Sequence, residues 1–67
     1  MREKELFISV IVPTLNSEKF IFQTLNSIFN QNYSNYEVIV QDGGSTDSTL
    51  QKIQSIQNNK LQLFSSK

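Results

Sequence analysis

The sequence contains no cysteine and no histidine. Without cysteine there is no disulfide staple and no thiol nucleophile. Without either residue the usual zinc ligands are missing, and no Ser-His-Asp or Cys-His constellation can form. A chain free of cysteine suits a reducing compartment, so a soluble protein in a cytoplasmic location is the expectation. An excess of one charge is also lacking: six basic residues cancel six acidic ones, with no charged run. Nothing therefore points to nucleic acid as a partner. No segment approaches the roughly 20 apolar residues of a membrane span. The opening "MREKELF" is charged, and the apolar run after it is shorter than a signal-peptide core and has no cleavage site. At 67 residues the chain makes one small domain or part of a larger one. A chain of this size buries only about 60% of its unfolded surface, near the lower limit for folding unaided.

What is present reads as alternating strands and helices. "LFISVIV" (Leu6 to Val12) is apolar except for Ser9 and rich in β-branched residues, as in a strand buried on both faces of a parallel sheet. Pro13, the single proline, is expected to end it because proline lacks the ladder donor. Asn16 or Ser17 then caps a helix, with Glu18 in its first turn, favourable to the helix dipole. Ile21, Leu25, Ile28 and Phe29 form that helix's buried stripe, with Phe22 beside it. "YEVIVQ" (Tyr36 to Gln41) is a second buried strand, followed by a tight turn at Gly43 and Gly44 and a second helix capped by Ser45 or Thr46. Leu50, Ile53 and Ile56 give that helix its inner face, and "LQLF" (Leu61 to Phe64) is a third strand. The five phenylalanines and two tyrosines are expected to serve as core and turn packing.

The order β-α-β-α-β implies an α/β fold with a three-stranded parallel sheet, right-handed crossovers and helices on its faces. That is half of a doubly wound domain. The first strand is the most apolar, which suggests a central position with a fourth strand beyond it, so the chain looks cut. In such sheets ligands bind outside the carboxyl ends of the strands, at the switch point. The loops there are "PTLN" and "QDGGSTD". Asp42, at the end of the second strand, has two readings: an acceptor for a base N–H or ribose hydroxyl, or a cap for the turn that follows. Glycine beside it permits close backbone approach to a flat ligand. Thr14 offers its hydroxyl or backbone to the same edge, while Asn16 reads first as a helix cap. Asp47, with Ser45 and Thr46, reads as a helix cap. An acid there opposes phosphate, and the glycines fit neither GxGxxG nor GxxxxGK[ST]. No carboxylates pair at a spacing that signals acid–base chemistry.

"ISVIVPTLN", "LNSIFNQNYSNYEVIVQDGGSTDSTL" and the third strand together resemble the start of the family-2 inverting glycosyltransferases, which have a Rossmann-like GT-A fold. The match runs almost throughout residues 8 to 57. It implies that residues 1–67 are the N-terminal nucleotide-binding portion of a truncated glycosyltransferase domain. The resemblance gives Asp42 the role of base contact and makes Pro13, Thr14 and Leu15 the lining of the nucleoside pocket, with Gly43 beside them. The sequence departs from the family pattern at two of these positions. Leu15 stands where an aromatic often stacks on the base, and Gly43 replaces the second acid of a "DD" pair. By resemblance the parent enzyme moves a sugar from a nucleotide-sugar, a UDP-sugar first among them, to an acceptor with Mg²⁺ or Mn²⁺. The D-x-D metal motif and the catalytic base come after the third strand in that family, so neither a catalytic nor a metal residue is expected within this chain. The alternative is a non-catalytic nucleotide-binding or self-assembling α/β module. An unpaired first strand would expose its edge, so self-association through residues 6–12 is a further expectation.

Overall fold

A computed structural model describes residues 6–66. Five elements follow in the expected order: β1 (Ile8–Thr14), α1 (Ile21–Phe29), β2 (Tyr36–Asp42), α2 (Thr49–Gln54) and β3 (Leu61–Ser65). The three strands form one parallel sheet in the order β1-β2-β3. Within these residues β2, not β1, is the middle strand, because each short crossover sets consecutive strands side by side.

The strands alternate. Val12, Tyr36, Val38 and Val40 are buried on one face, with Ile8, Val10, Leu61 and Leu63 packed against them. Both helices cover this face and touch each other. Ile21 and Leu25 of α1 and Ile53 of α2 complete the core, and Ile28, Phe29 and Ile56 close its margin. The opposite face is bare among the described residues. Phe7, Ile11 and Phe64 there are 59%, 55% and 53% exposed. Between them Ser9 donates to Glu37 at 2.6 Å and Gln62 donates to the other oxygen of Glu37 at 2.9 Å, a polar ladder across all three strands. Most of the phenylalanines are therefore not core: Phe7, Phe20, Phe22 and Phe64 are all exposed. The Lys52 ammonium lies 5.5 Å from the Phe22 ring. Tyr36 is buried, edge-on to Tyr33 and beneath the Lys60 ammonium, 4.7 Å from its ring.

The boundaries of β1, α1 and α2 differ from those the sequence suggests. α2 starts at Thr49 with Ser48, not Ser45 or Thr46, at its N-cap position, because those two residues hold the loop to Asn16. β1 starts at Ile8 and runs through Pro13 to Thr14, with Pro13 in register with Gln41. The Ile8 N–H donates to the Asn35 carbonyl at 3.1 Å, and the Gly43 N–H donates to the Thr14 carbonyl at 2.9 Å. Even-numbered residues thus turn their backbone groups to β2, and position 13 faces the open edge, where a missing N–H breaks no ladder bond. Among the described residues no strand pairs with β1 on that side, so proline is tolerated there. In turn, α1 starts at Ile21, with Phe20 at its N-cap position and no side-chain cap. Neither Asn16 nor Ser17 caps it, and Glu18 lies ahead of its first turn. These residues are engaged elsewhere.

Candidate functional site

The carboxyl ends of β1 and β2 bring Thr14 and Asp42 into register. The Thr14 hydroxyl donates to Asp42 Oδ1 at 3.0 Å, in a buried contact. Three further donors converge on the same carboxylate. The amides of Gly44 and Ser45 reach Oδ2 at 2.9 and 2.7 Å, and the Ser45 hydroxyl donates to Oδ1. Asp42 is 1% exposed, and its lone-pair directions are filled from within the chain. Burial alone pushes this carboxyl up. The Ser45 hydroxyl, the Ser45 and Gly44 amides and the Thr14 hydroxyl together outweigh that, and they hold it below its ordinary value of 3.8. As the structure stands, the carboxylate caps its own turn.

The glycines have different reasons to be there. Gly44 has φ +103, and a Cβ on it would lie 3.2 Å from the Ser66 carbonyl oxygen, so only glycine fits without strain. At Gly43 a Cβ would meet the Thr14 oxygen at 3.7 Å and Leu15 Cδ1 at 3.9 Å, ordinary contacts. The backbone does not require glycine there. Leu15 leans over Gly43 and is itself 59% exposed. Of the five residues singled out from sequence, Thr14, Leu15, Asp42 and Gly43 therefore form one cluster. Pro13 is exposed beside Gln41.

Sequence reasoning missed the way the two loops hold each other. The Asn16 N–H donates to the Ser45 hydroxyl oxygen at 2.8 Å, and Asn16 Oδ1 accepts the Thr46 N–H at 2.8 Å. The Ser17 N–H donates to Thr49 Oγ1 at 2.7 Å, and the Glu18 N–H to Asp47 Oδ2 at 3.3 Å. Glu18 Oε1 in return accepts the Ser48 N–H at 2.8 Å, and Lys52 Nζ donates to the Glu18 carbonyl at 2.7 Å. The side chains read as caps for their own helices thus cap the neighbouring loop. Asp47 does both, since its Oδ1 accepts the Thr49 N–H and hydroxyl. Burial acts to raise the Asp47 carboxyl, but the Thr49 hydroxyl, the Thr49 amide and the Glu18 amide lower it below 3.8. The usable signal was the density of Ser, Thr, Asn and Asp after both strands, which exceeds what two helix starts need.

Among the described residues no three acidic side chains gather, and Asp42 and Asp47 spend their oxygens on amides and hydroxyls. These residues do not fit a divalent-cation site. No described helix is long and apolar enough to cross a membrane.

The chain is similar in sequence to known glycosyltransferases over most of its length. Over 53 residues the chain is 51% identical to a dolichyl N-acetyl-alpha-D-glucosaminyl phosphate 3-beta-D-2,3-diacetamido-2,3-dideoxy-beta-D-glucuronosyltransferase of Methanococcus voltae, covering 76% of this chain and 16% of that protein. It is 51% identical over 57 residues to a poly(ribitol-phosphate) beta-N-acetylglucosaminyltransferase of Staphylococcus aureus, covering 82% of this chain and 10% of that protein. A UDP-Glc:alpha-D-GlcNAc-diphosphoundecaprenol beta-1,3-glucosyltransferase of Escherichia coli is 30% identical over 60 residues, covering 90% of this chain and 24% of that protein. The chain spans less than a quarter of each of these relatives. The family model described as Glycosyl transferase family 2 matches residues 9–66. With a parallel α/β sheet in the order β-α-β-α-β and a match across nearly its whole length, this chain belongs to glycosyl transferase family 2.

Proposed function

We propose that this chain forms the donor-nucleotide half of the site of an enzyme that transfers a sugar from a nucleotide-sugar to an acceptor in glycan or polysaccharide synthesis. The observation that carries this reading is the meeting of Thr14, Leu15, Asp42 and Gly43 at the carboxyl ends of two adjacent parallel strands, where open α/β sheets take their ligands. Leu15 supplies an exposed apolar surface for a flat base, and Gly43 adds no side chain to obstruct it. Asp42 reads the base in this proposal. Two of its four donors are hydroxyls, which can rotate away so that a base N–H takes the place of one, while the two amides stay. The E. coli relative carries UDP-Glc in its name, which supports a UDP-sugar as donor. We assign the Mg²⁺ or Mn²⁺ site and the catalytic base to segments of the parent enzyme other than this one.

The test is titration of the ¹⁵N-labelled chain with UDP, GDP and dTDP, followed by NMR. The expected result is selective UDP shifts at the amides of Thr14, Leu15 and Gly43, with affinity reduced about tenfold in Asp42→Asn, where an ionised acceptor becomes neutral. A folded chain whose spectrum ignores millimolar UDP would overturn the reading.

A second reading, self-association, is favoured by one observation. Among the described residues β1 has no strand on its outer side, and Phe7 and Ile11 lie bare beside that edge, with Phe64 exposed on the same face two strands away. We propose that the chain in isolation pairs through residues 6–12, extended by the structure's own strand limit to Thr14.

A further inference from the structure

We propose that Asn16 is a positioning residue for the nucleotide site, one that locks the Thr14–Leu15 turn onto Ser45 and Thr46 so that the two loops present a single preformed surface. The proposal rests on the nucleotide reading of the site.

Its basis is geometric. Asn16 has φ +50, the only described residue other than glycine with positive φ. Asparagine tolerates this left-handed conformation better than most residues. The conformation turns the Asn16 N–H to Ser45 Oγ and lets its side-chain oxygen take the Thr46 N–H. One residue thus grips two consecutive residues of the other loop, through both main chain and side chain.

The grip reaches Asp42. The Asn16 N–H donates to the Ser45 hydroxyl, and that hydroxyl donates to the Asp42 carboxylate. One residue further on, the Ser17 N–H donates to the Thr49 hydroxyl, which donates to Asp47. Two parallel relays, each amide to hydroxyl to carboxylate, therefore cross from the first loop to the second. In such chains each bond polarises the next and strengthens it. Only the first relay ends on a residue of the nucleotide cluster, and Asn16 is its head. Leu15, immediately before Asn16, is the residue that leans over Gly43. Releasing Asn16 would free the base-facing surface and the carboxylate beneath it together. Preorganisation of this kind raises affinity by reducing the ordering required on binding.

Two substitutions in the full chain separate the side-chain oxygen from the backbone turn. Asn16→Gly keeps positive φ accessible and removes the oxygen, while Asn16→Asp keeps an acceptor in the same place. The Asn16→Gly variant is expected to speed exchange of the Thr46 amide about tenfold and to weaken UDP binding about tenfold. Exchange at Val38 and Val40, in the middle of the sheet, should not change. Asn16→Asp should stay within about twofold of the parent in both readouts. Wild-type UDP affinity in Asn16→Gly, or an equal loss in Asn16→Asp, would overturn the proposal. If Asn16→Gly loses core protection, native-state exchange of the unsubstituted chain decides. There the amides of residues 16, 17, 18, 46 and 48 should open as one unit, and separate openings for the two loops would overturn the proposal. Failure of the nucleotide reading is distinct. In that case UDP leaves the unsubstituted spectrum unchanged, while the Thr46 amide still responds to Asn16→Gly.

Discussion

Replacing Asp42 by alanine removes one acceptor group and strands four donors: the Thr14 and Ser45 hydroxyls and the Gly44 and Ser45 amides. The hydroxyls can turn toward water or other acceptors, but the amides are fixed by the backbone. A partly buried amide left without a partner costs about 1–1.5 kcal/mol, so the substitution should cost about 3 kcal/mol in all. That is severe for a 67-residue chain, whose total stability is about 3–10 kcal/mol at the usual 0.05–0.15 kcal/mol per residue. Asparagine is a sharper probe. Its oxygen can face the two amides while its NH₂ group donates to the two hydroxyls, which also accept. All four contacts survive and only the charge is lost, a cost of about 1 kcal/mol. Urea unfolding followed by circular dichroism measures both variants. In melting temperature the alanine variant should fall by more than about 12 °C and the asparagine variant by about 5 °C. The pH dependence adds an independent check. The folded carboxyl titrates below 3.8, so its contribution is complete above that value and is lost as pH falls through the folded pKa. Asp42→Asn should lose this part of the acid sensitivity. An alanine variant as stable as the parent, or an asparagine variant no better than alanine, would refute the view that Asp42 organises the turn.

Other substitutions probe the same framework. Gly44→Ala forces a side chain into φ +103 against the Ser66 carbonyl and should cost at least about 2 kcal/mol, whereas Gly43→Ala should stay within about 0.5 kcal/mol; equal losses in urea titrations would refute the distinction. Thr49 is fully buried, accepts the Ser17 N–H and donates to Asp47. Thr49→Val keeps its shape and should cost about 2 kcal/mol, with Thr49→Ser milder. Self-association should show in light scattering as a mass that rises with concentration, and Ile11→Lys should abolish it by charging the edge strand and bare face together. A parent chain that stays monomeric at millimolar concentration would remove that second reading.

The alternation of apolar runs and helical stripes determined the element order and the parallel sheet. Val38 and Val40 between turn residues, and Ile21 and Leu25 four apart, carry that information in single-residue periods. The resemblance of "PTLN" and "QDGGSTD" to one family reached the same two loops, and Thr14, Leu15, Asp42 and Gly43 do come together. Other features depended on where the chain meets itself. Pro13 could stay inside a strand because the register turns its missing N–H away from β2, and register is defined by neighbours. Phe7, Ile11 and Phe64 are as apolar as core residues, and only the placement of both helices on the other face leaves them exposed. Asn16 and Asp47 look like helix caps, and Glu18 like a first-turn acid, because the nearest unsatisfied amides along the chain are those of the adjacent helix start. In the folded molecule the oxygens of Asn16 and Glu18 instead take amides of a loop about 30 residues away in sequence, and Asp47 takes one there besides the Thr49 amide of its own helix. Local propensity named the donors and acceptors, and the parallel register of β1 and β2 decided which would pair.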